Sequence, residues 1–172
     1  MPAYAAQLHG RFAERDEGAG DETAGLPAFL DQLLTRRTVR RYTDRMPAPA
    51  LLDALTAAAL SASSKSDFQQ ASVLRVDDPA TRASIGALFP AMPWIAQAPV
   101  FCVFLGDARR LQRIGELRGK PVDNGTLEGF FNATVDAALV LQTFVLAAES
   151  AGLGCCPISV IRNRIDAVAP LL

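Results

Sequence analysis

Histidine is almost missing from this chain. His9 is the only one in 172 residues, and it lies in a charge-rich stretch ahead of the first apolar segment, so the core has neither the usual neutral-pH proton carrier nor an imidazole metal site. Cysteine is scarce as well. Cys102, Cys155 and Cys156 are too few for a disulfide framework, and adjacent cysteines are poorly placed to bridge each other. Neither member of the pair has a histidine partner to make it a nucleophile. Packing as small apolar side chains is the preferred reading, with a redox-active vicinal pair as the alternative, and the cytoplasm is the expected compartment. An excess of charge is also lacking: 17 basic and 18 acidic side chains leave a formal net charge of −1, which excludes a global field for nucleic acid or an anionic membrane. Residues 1–25 carry Arg11, Glu14, Arg15, Asp16, Glu17, Asp21 and Glu22 and no apolar run, so they do not read as a signal peptide. The longest apolar run, Ala137 to Ala148, falls short of the roughly 20 residues of a membrane span. Repeats and a glycine-rich strand-to-helix fingerprint are missing too. Gly115 to Pro121 comes near a P-loop, but its glycines are too close and Pro121 replaces the metal-binding hydroxyl. Asp77, Asp78, Glu128 and Asp136 show no spacing that pairs two of them, and they read as caps and surface charges.

Half of the residues are hydrophobic, enough for one domain with a real core. Residues 1–25 read as a flexible leader and 26–172 as the domain. Periodicity predicts helices over Leu26–Thr35, Pro49–Ser61, Asp78–Phe89 and Asp107–Leu117, a long one from Thr126 or Leu127 to Ala151, and a last one from Asn163. Strands are expected over Ala71–Val76, Pro99–Leu105 and Cys155–Ile161. The long helix is apolar almost all round and ends at Gly152-Leu153-Gly154. It therefore requires partners on every side, one of them expected to be a second copy of the chain, with Leu141 and Phe144 as anchors.

Arg36-Arg37-Thr38-Val39-Arg40-Arg41-Tyr42 follows the first helix and precedes a loop. Planar guanidinium forks with a hydroxyl among them make a clamp suited to phosphate. The plain alternative is a solvated helix end whose cations favour the helix dipole. A phosphate clamp in a chain without acid–base machinery fits an enzyme whose cofactor carries the chemistry.

Five ordered stretches carry a resemblance. The Arg36 to Tyr42 opening, Ser63-Ser64-Lys65-Ser66-Asp67-Phe68-Gln69, Ala96-Gln97-Ala98-Pro99-Val100-Phe101, Ala147 to Gly154, and Ile161-Arg162-Asn163 together resemble the nitroreductase family of FMN-dependent oxidoreductases. The resemblance covers residues 26–172. Asp67-Phe68-Gln69-Gln70-Ala71-Ser72, in place of Asn-x-Gln-Pro-Trp, is similar to the NADPH-linked nitroreductase and flavin reductase branch. The resemblance implies an α+β fold, with a central mixed sheet flanked by helices and a long buried central helix. It also implies a homodimer that moves a hydride from NADPH (or NADH) through FMN to a small electron-poor acceptor such as a nitroaromatic, quinone or flavin, by a ping-pong mechanism. A flavin-binding or dimerisation module without turnover is the alternative.

No side chain would be catalytic. Arg36, Arg37, Thr38, Val39 and Arg40 would hold the FMN phosphate and ribityl chain, and Gln69 the amide edge of the ring. Ser64 would come from the partner subunit. Pro157, Ile158, Ser159 and Val160 would lie beside the ring and offer backbone amides to it. Ser159-Val160 departs from the family's Gly-Gly, which raises a question about backbone geometry there. Trp94 is read equally as a pocket wall or as core. Family members continue into a further strand and an extension with a basic phosphate contact, so residues 26–172 are expected to be C-terminally incomplete.

Overall fold

A computed structural model describes residues 28–172. The expected leader, His9, and the start of the first helix at Leu26 and Pro27 lie outside the described residues. Helix α1 spans Ala28–Thr35 and α2 spans Pro49–Leu60. Pro49 costs α2 nothing, because the first turn of a helix leaves its amide hydrogens unpaired in any case. A 3₁₀ turn at Lys65–Asp67 leads into strand β1, Ala71–Arg75. Helix α3, Pro79–Ala87, is capped by Asp78, whose carboxylate accepts the N–H groups of Ala80 and Thr81. Helix α4 is Trp94–Gln97, strand β2 is Cys102–Gly106, and α5 is Arg109–Leu117. The long helix α6 runs over Leu127–Ser150 from its N-cap Thr126, whose hydroxyl accepts the N–H of Gly129. A 3₁₀ turn at Val160–Arg164, the short helix α7 at Ile165–Val168, and a last 3₁₀ turn at Ala169–Leu171 complete the described chain.

The class is α+β. Among the described residues the sheet is two antiparallel strands, with Ala71 opposite Gly106 and Arg75 opposite Cys102. β2 starts three residues later than its apolar run suggests, although Phe101 still accepts the N–H of Val76. The expected strand at Cys155–Ile161 does not form. Among the described residues that stretch makes a single backbone bond to another segment, from the Val39 N–H to the Cys155 carbonyl at 2.9 Å, and then tightens into the 3₁₀ turn. A β-branched run is not a strand without a ladder to join.

Two cores lie on either side of the sheet region. One joins Leu52, Leu55 and Ala59 of α2 with Ala71 and with Val140, Phe144 and Ala148 of α6. Phe104 meets Phe144 edge-on, with ring centroids 5.3 Å apart. The other gathers Val76, Ile85, Phe89, Ile95, Val103 and Val168. At 24 residues α6 is long and apolar enough to cross a membrane by length and composition, yet one of its faces packs on α2 and both strands as a core helix. Gly129, Asn132, Ala133, Asp136, Val140, Phe144 and Ala148 recur on that buried face at helical spacing. The opposite face stays open at Leu127, Phe130, Phe131 and Leu139. Phe144 is therefore an internal anchor, not an outward one.

Ile85 is completely buried in the second core. Ile85→Ala should destabilise the fold by about 2–5 kcal/mol, read as a lowered urea midpoint with an unchanged slope.

Candidate functional site

The Arg segment is held against the chain's far end by three contacts. The Arg36 guanidinium forks onto Glu149, with Nε to Oε2 at 3.0 Å and Nη2 to Oε1 at 3.1 Å. The Val39 amide donates to Cys155. The Val39 side chain also sits where Gly154 has no Cβ; one built there would stand 2.7 Å from it. Arg37 turns back and donates to the carbonyls of Leu34 and Arg36 at 3.3 and 2.8 Å. Thr38 is exposed. The exposed Arg40 lies over the Trp94 ring at 5.6 Å and has no carboxylate partner among the described residues. Trp94 thus serves as both wall and core, since it also packs against the second apolar cluster.

Behind this joint is a cavity of about 740 Å³, walled by Val39, Tyr42, Trp94, β2 and the Cys155–Ser159 stretch. Ile158 and Ser159 direct no backbone N–H to an acceptor among the described residues. Ser159 has φ −114° and ψ −7°, outside the left-handed region that favours glycine, so the serine does not strain the backbone here.

Ser64 and Gln69 lie elsewhere. Their loop rests on the N-terminal half of α6, where the buried Asp136 accepts the N–H of Lys65 at 2.6 Å and that of Gln70 at 2.8 Å. Glu149 and Asp136 stand about 20 Å apart along the helix at about 1.5 Å per residue. Within one chain, then, Val39 lines one cavity with Pro157, Ile158 and Ser159, and Ser64 and Gln69 form a second group at the other end of α6. Carboxylate spacing alone puts Asp136 among caps and surface charges, and its burial corrects that. Its recurrence on the apolar face, four residues from both Asn132 and Val140, is the signal that marks it as internal.

The thiols are free. Burial pushes the Cys155 thiol up from 9.0 to about 11, helped by the nearby Glu149 carboxylate. Burial likewise pushes the Tyr42 phenol up to about 12, with Cys156 and Cys155 adding to the shift. A protonated, half-buried Cys155 is a packing residue and not a nucleophile.

An α+β domain with a basic joint folded over a cavity beneath a long core helix is the class that this geometry defines. The nitroreductase family pattern matches residues 33–172. The chain is 33% identical over 145 residues to the FMN reductase (NADPH) of Bacillus subtilis strain 168, covering 83% of this chain and 58% of that protein. It is 36% identical over 143 residues to the oxygen-insensitive NADPH nitroreductase of Salmonella typhimurium, again with 83% and 58% covered. The solved NfrA1 nitroreductase of B. subtilis superposes with a TM-score of 0.79 at 32% identity, over 83% of this chain and 59% of that one. The chain belongs to the nitroreductase family. It spans under three fifths of the length of these relatives.

At pH 8 the raised Cys155 pKa leaves a thiolate fraction roughly a hundredfold below that of an ordinary thiol. Iodoacetamide should therefore label Cys155 far more slowly in native protein than in urea, as read by peptide mass mapping.

Proposed function

We propose that this chain is the flavin-binding part of an FMN-dependent oxidoreductase that takes hydride from a reduced nicotinamide, NADPH in preference to NADH, and passes it to a small electron-poor acceptor. The observation that carries the reading is the joint itself. Val39 and Arg41 of the joint line a cavity within the usual size range for cofactor sites, together with Ile158 and Ser159, whose N–H groups meet no acceptor among the described residues; Arg40, without a carboxylate partner among the described residues, lies over Trp94 in the cavity wall. A phosphate needs cationic forks and neutral donors, and an electron-rich ring edge needs backbone N–H groups. The joint supplies both. Bound FMN would supply the alternating acceptance and donation of hydride that no side chain here can perform.

Each residue then has a physical task. Arg36 spends its fork on Glu149 and holds the segment in place, which leaves phosphate contact to Arg37, Thr38 and Arg40. Val39 fixes the spacing between that segment and Pro157 to Val160. The separation of Ser64 and Gln69 from this group supports a site completed by a second copy, with both residues coming from the partner subunit. The open face of α6 at Leu127, Phe130 and Phe131 offers the apolar surface for that contact. The free thiols agree with a reducing compartment. The relatives' names, an FMN reductase and an NADPH nitroreductase, support the same chemistry.

Purified protein should be yellow and release FMN on denaturation, and NADPH should bleach it. FMN retained without bleaching would favour a binding module, and a colourless protein after incubation with FMN would sink the assignment. Arg40→Ala should weaken FMN binding by about 1.5–3 kcal/mol, with a smaller loss for Arg41→Ala, measured by fluorescence quenching.

Phe131→Asp should give a monomer with weak flavin binding on gel filtration. A monomer that keeps its flavin as tightly as the unaltered protein would show that one chain suffices.

A further inference from the structure

The loop that carries Ser64 and Gln69 has an unusual backbone. Ser66, Asp67 and Gln69 have φ values of 64°, 56° and 50°, in the left-handed region that favours glycine. None of the three is glycine. Such a conformation persists only where its surroundings impose it, and here two hydrogen bonds bracket it. The carboxylate of Asp136, only 1% exposed, takes the Lys65 N–H on one oxygen and the Gln70 N–H on the other. Among the described residues, the non-glycine positions with left-handed backbone all fall between these anchors. Two contacts reinforce the bracket: Lys65 pairs with Glu128 on the same helix at 2.6 Å, and Arg110 donates to the Gln69 carbonyl at 2.8 Å.

We infer that Asp136 is a positioning residue for the flavin site: by closing the 65–70 loop on α6 it forces Gln69 into its left-handed backbone and so aims the Gln69 carboxamide outward. This rests on the FMN reading given above. The argument is geometric. Gln69 is exposed while its neighbour Gln70 is fully buried, so the chain reverses the direction of its side chains at the anchored amide. With its carbonyl held by Arg110 and the next amide held by Asp136, the carboxamide is the part of Gln69 left to reach a ligand. It carries one donor and one acceptor face, the complement of a cyclic imide such as the pyrimidine edge of a flavin.

The test is an FMN titration, followed by flavin fluorescence and absorbance, of the unaltered full chain, Asp136→Asn, Gln69→Leu and the double variant. An amide in place of the carboxylate cannot accept both N–H groups. Asp136→Asn should therefore weaken FMN at least about tenfold, shift the spectrum of bound FMN in the same direction as Gln69→Leu, and add no further loss in the double variant. A general loss of fold would instead add to the effect of Gln69→Leu and leave the spectrum unmoved, which would overturn the inference. Lys65→Pro removes one anchor from the loop side while leaving every residue of α6 unaltered, and it follows a residue whose φ of −115° and ψ of 143° accept a proline after it; the Glu128 pair is lost equally in Lys65→Ala. It should lose FMN as Asp136→Asn does, whereas Lys65→Ala, which keeps the N–H, should lose far less; equal losses in the two Lys65 variants would also overturn the inference. FMN uptake by Asp136→Asn as tight as in the unaltered chain overturns the inference alone. No uptake by the unaltered chain overturns the flavin reading and this inference with it.

Discussion

Arg36 donates from Nε and Nη2 to Glu149, the penultimate residue of α6, and on that pair the geometry of the joint depends. Both side chains are largely withdrawn from solvent, which makes the pair worth more than a surface bridge and costly to break from one side. The constraint reaches further through the chain: once Arg36 is fixed, Val39 falls against Gly154 and Cys155, and Arg40 falls over Trp94. Neighbouring arginines in one short segment thus take different tasks, one structural and one open to a ligand. Residue type alone does not distinguish them; the carboxylate within reach does.

The helix that receives Arg36 also receives the 65–70 loop, so α6 acts as a common rail. Gln32 donates to the Leu146 carbonyl, Arg36 to Glu149, and the loop amides to Asp136, on a helix whose buried face is mostly apolar. A polar group on such a helix has few places to find a partner, which makes each of these contacts specific. On the outer face Leu127, Phe130 and Phe131 stay exposed, with the Lys65–Glu128 pair beside them and the Lys65 ammonium over the Phe131 ring at 5.6 Å.

Much of this architecture is legible in the amino-acid sequence. Asp78-Pro79 and Thr126 are local capping signals, and local signals survive into the fold. The apolar periodicity of α6 identifies the core helix, and the family pattern is readable from five short stretches. What the sequence hides is non-local. Cys155 to Ile161 has strand composition but, among the described residues, one backbone bond to another segment, and composition cannot report the presence of a neighbour. The task of Asp136 is hidden because its partners are backbone amides 71 and 66 residues away, which leave no trace in side-chain spacing. The division of Ser64 and Gln69 from the Arg segment is likewise invisible, since both lie within 40 residues of it in sequence and are separated only by the length of α6.

The Arg36–Glu149 pair also sets a clock. Its partners are 113 residues apart in the chain, so at about 5–20 residues per second a ribosome takes roughly 6–23 s to make the second after the first. Throughout that interval the arginine segment is a free basic strand with nothing to dock on. The joint therefore cannot close until Glu149 has been made, and a nascent chain halted before that residue presents its cations to whatever anion is nearest.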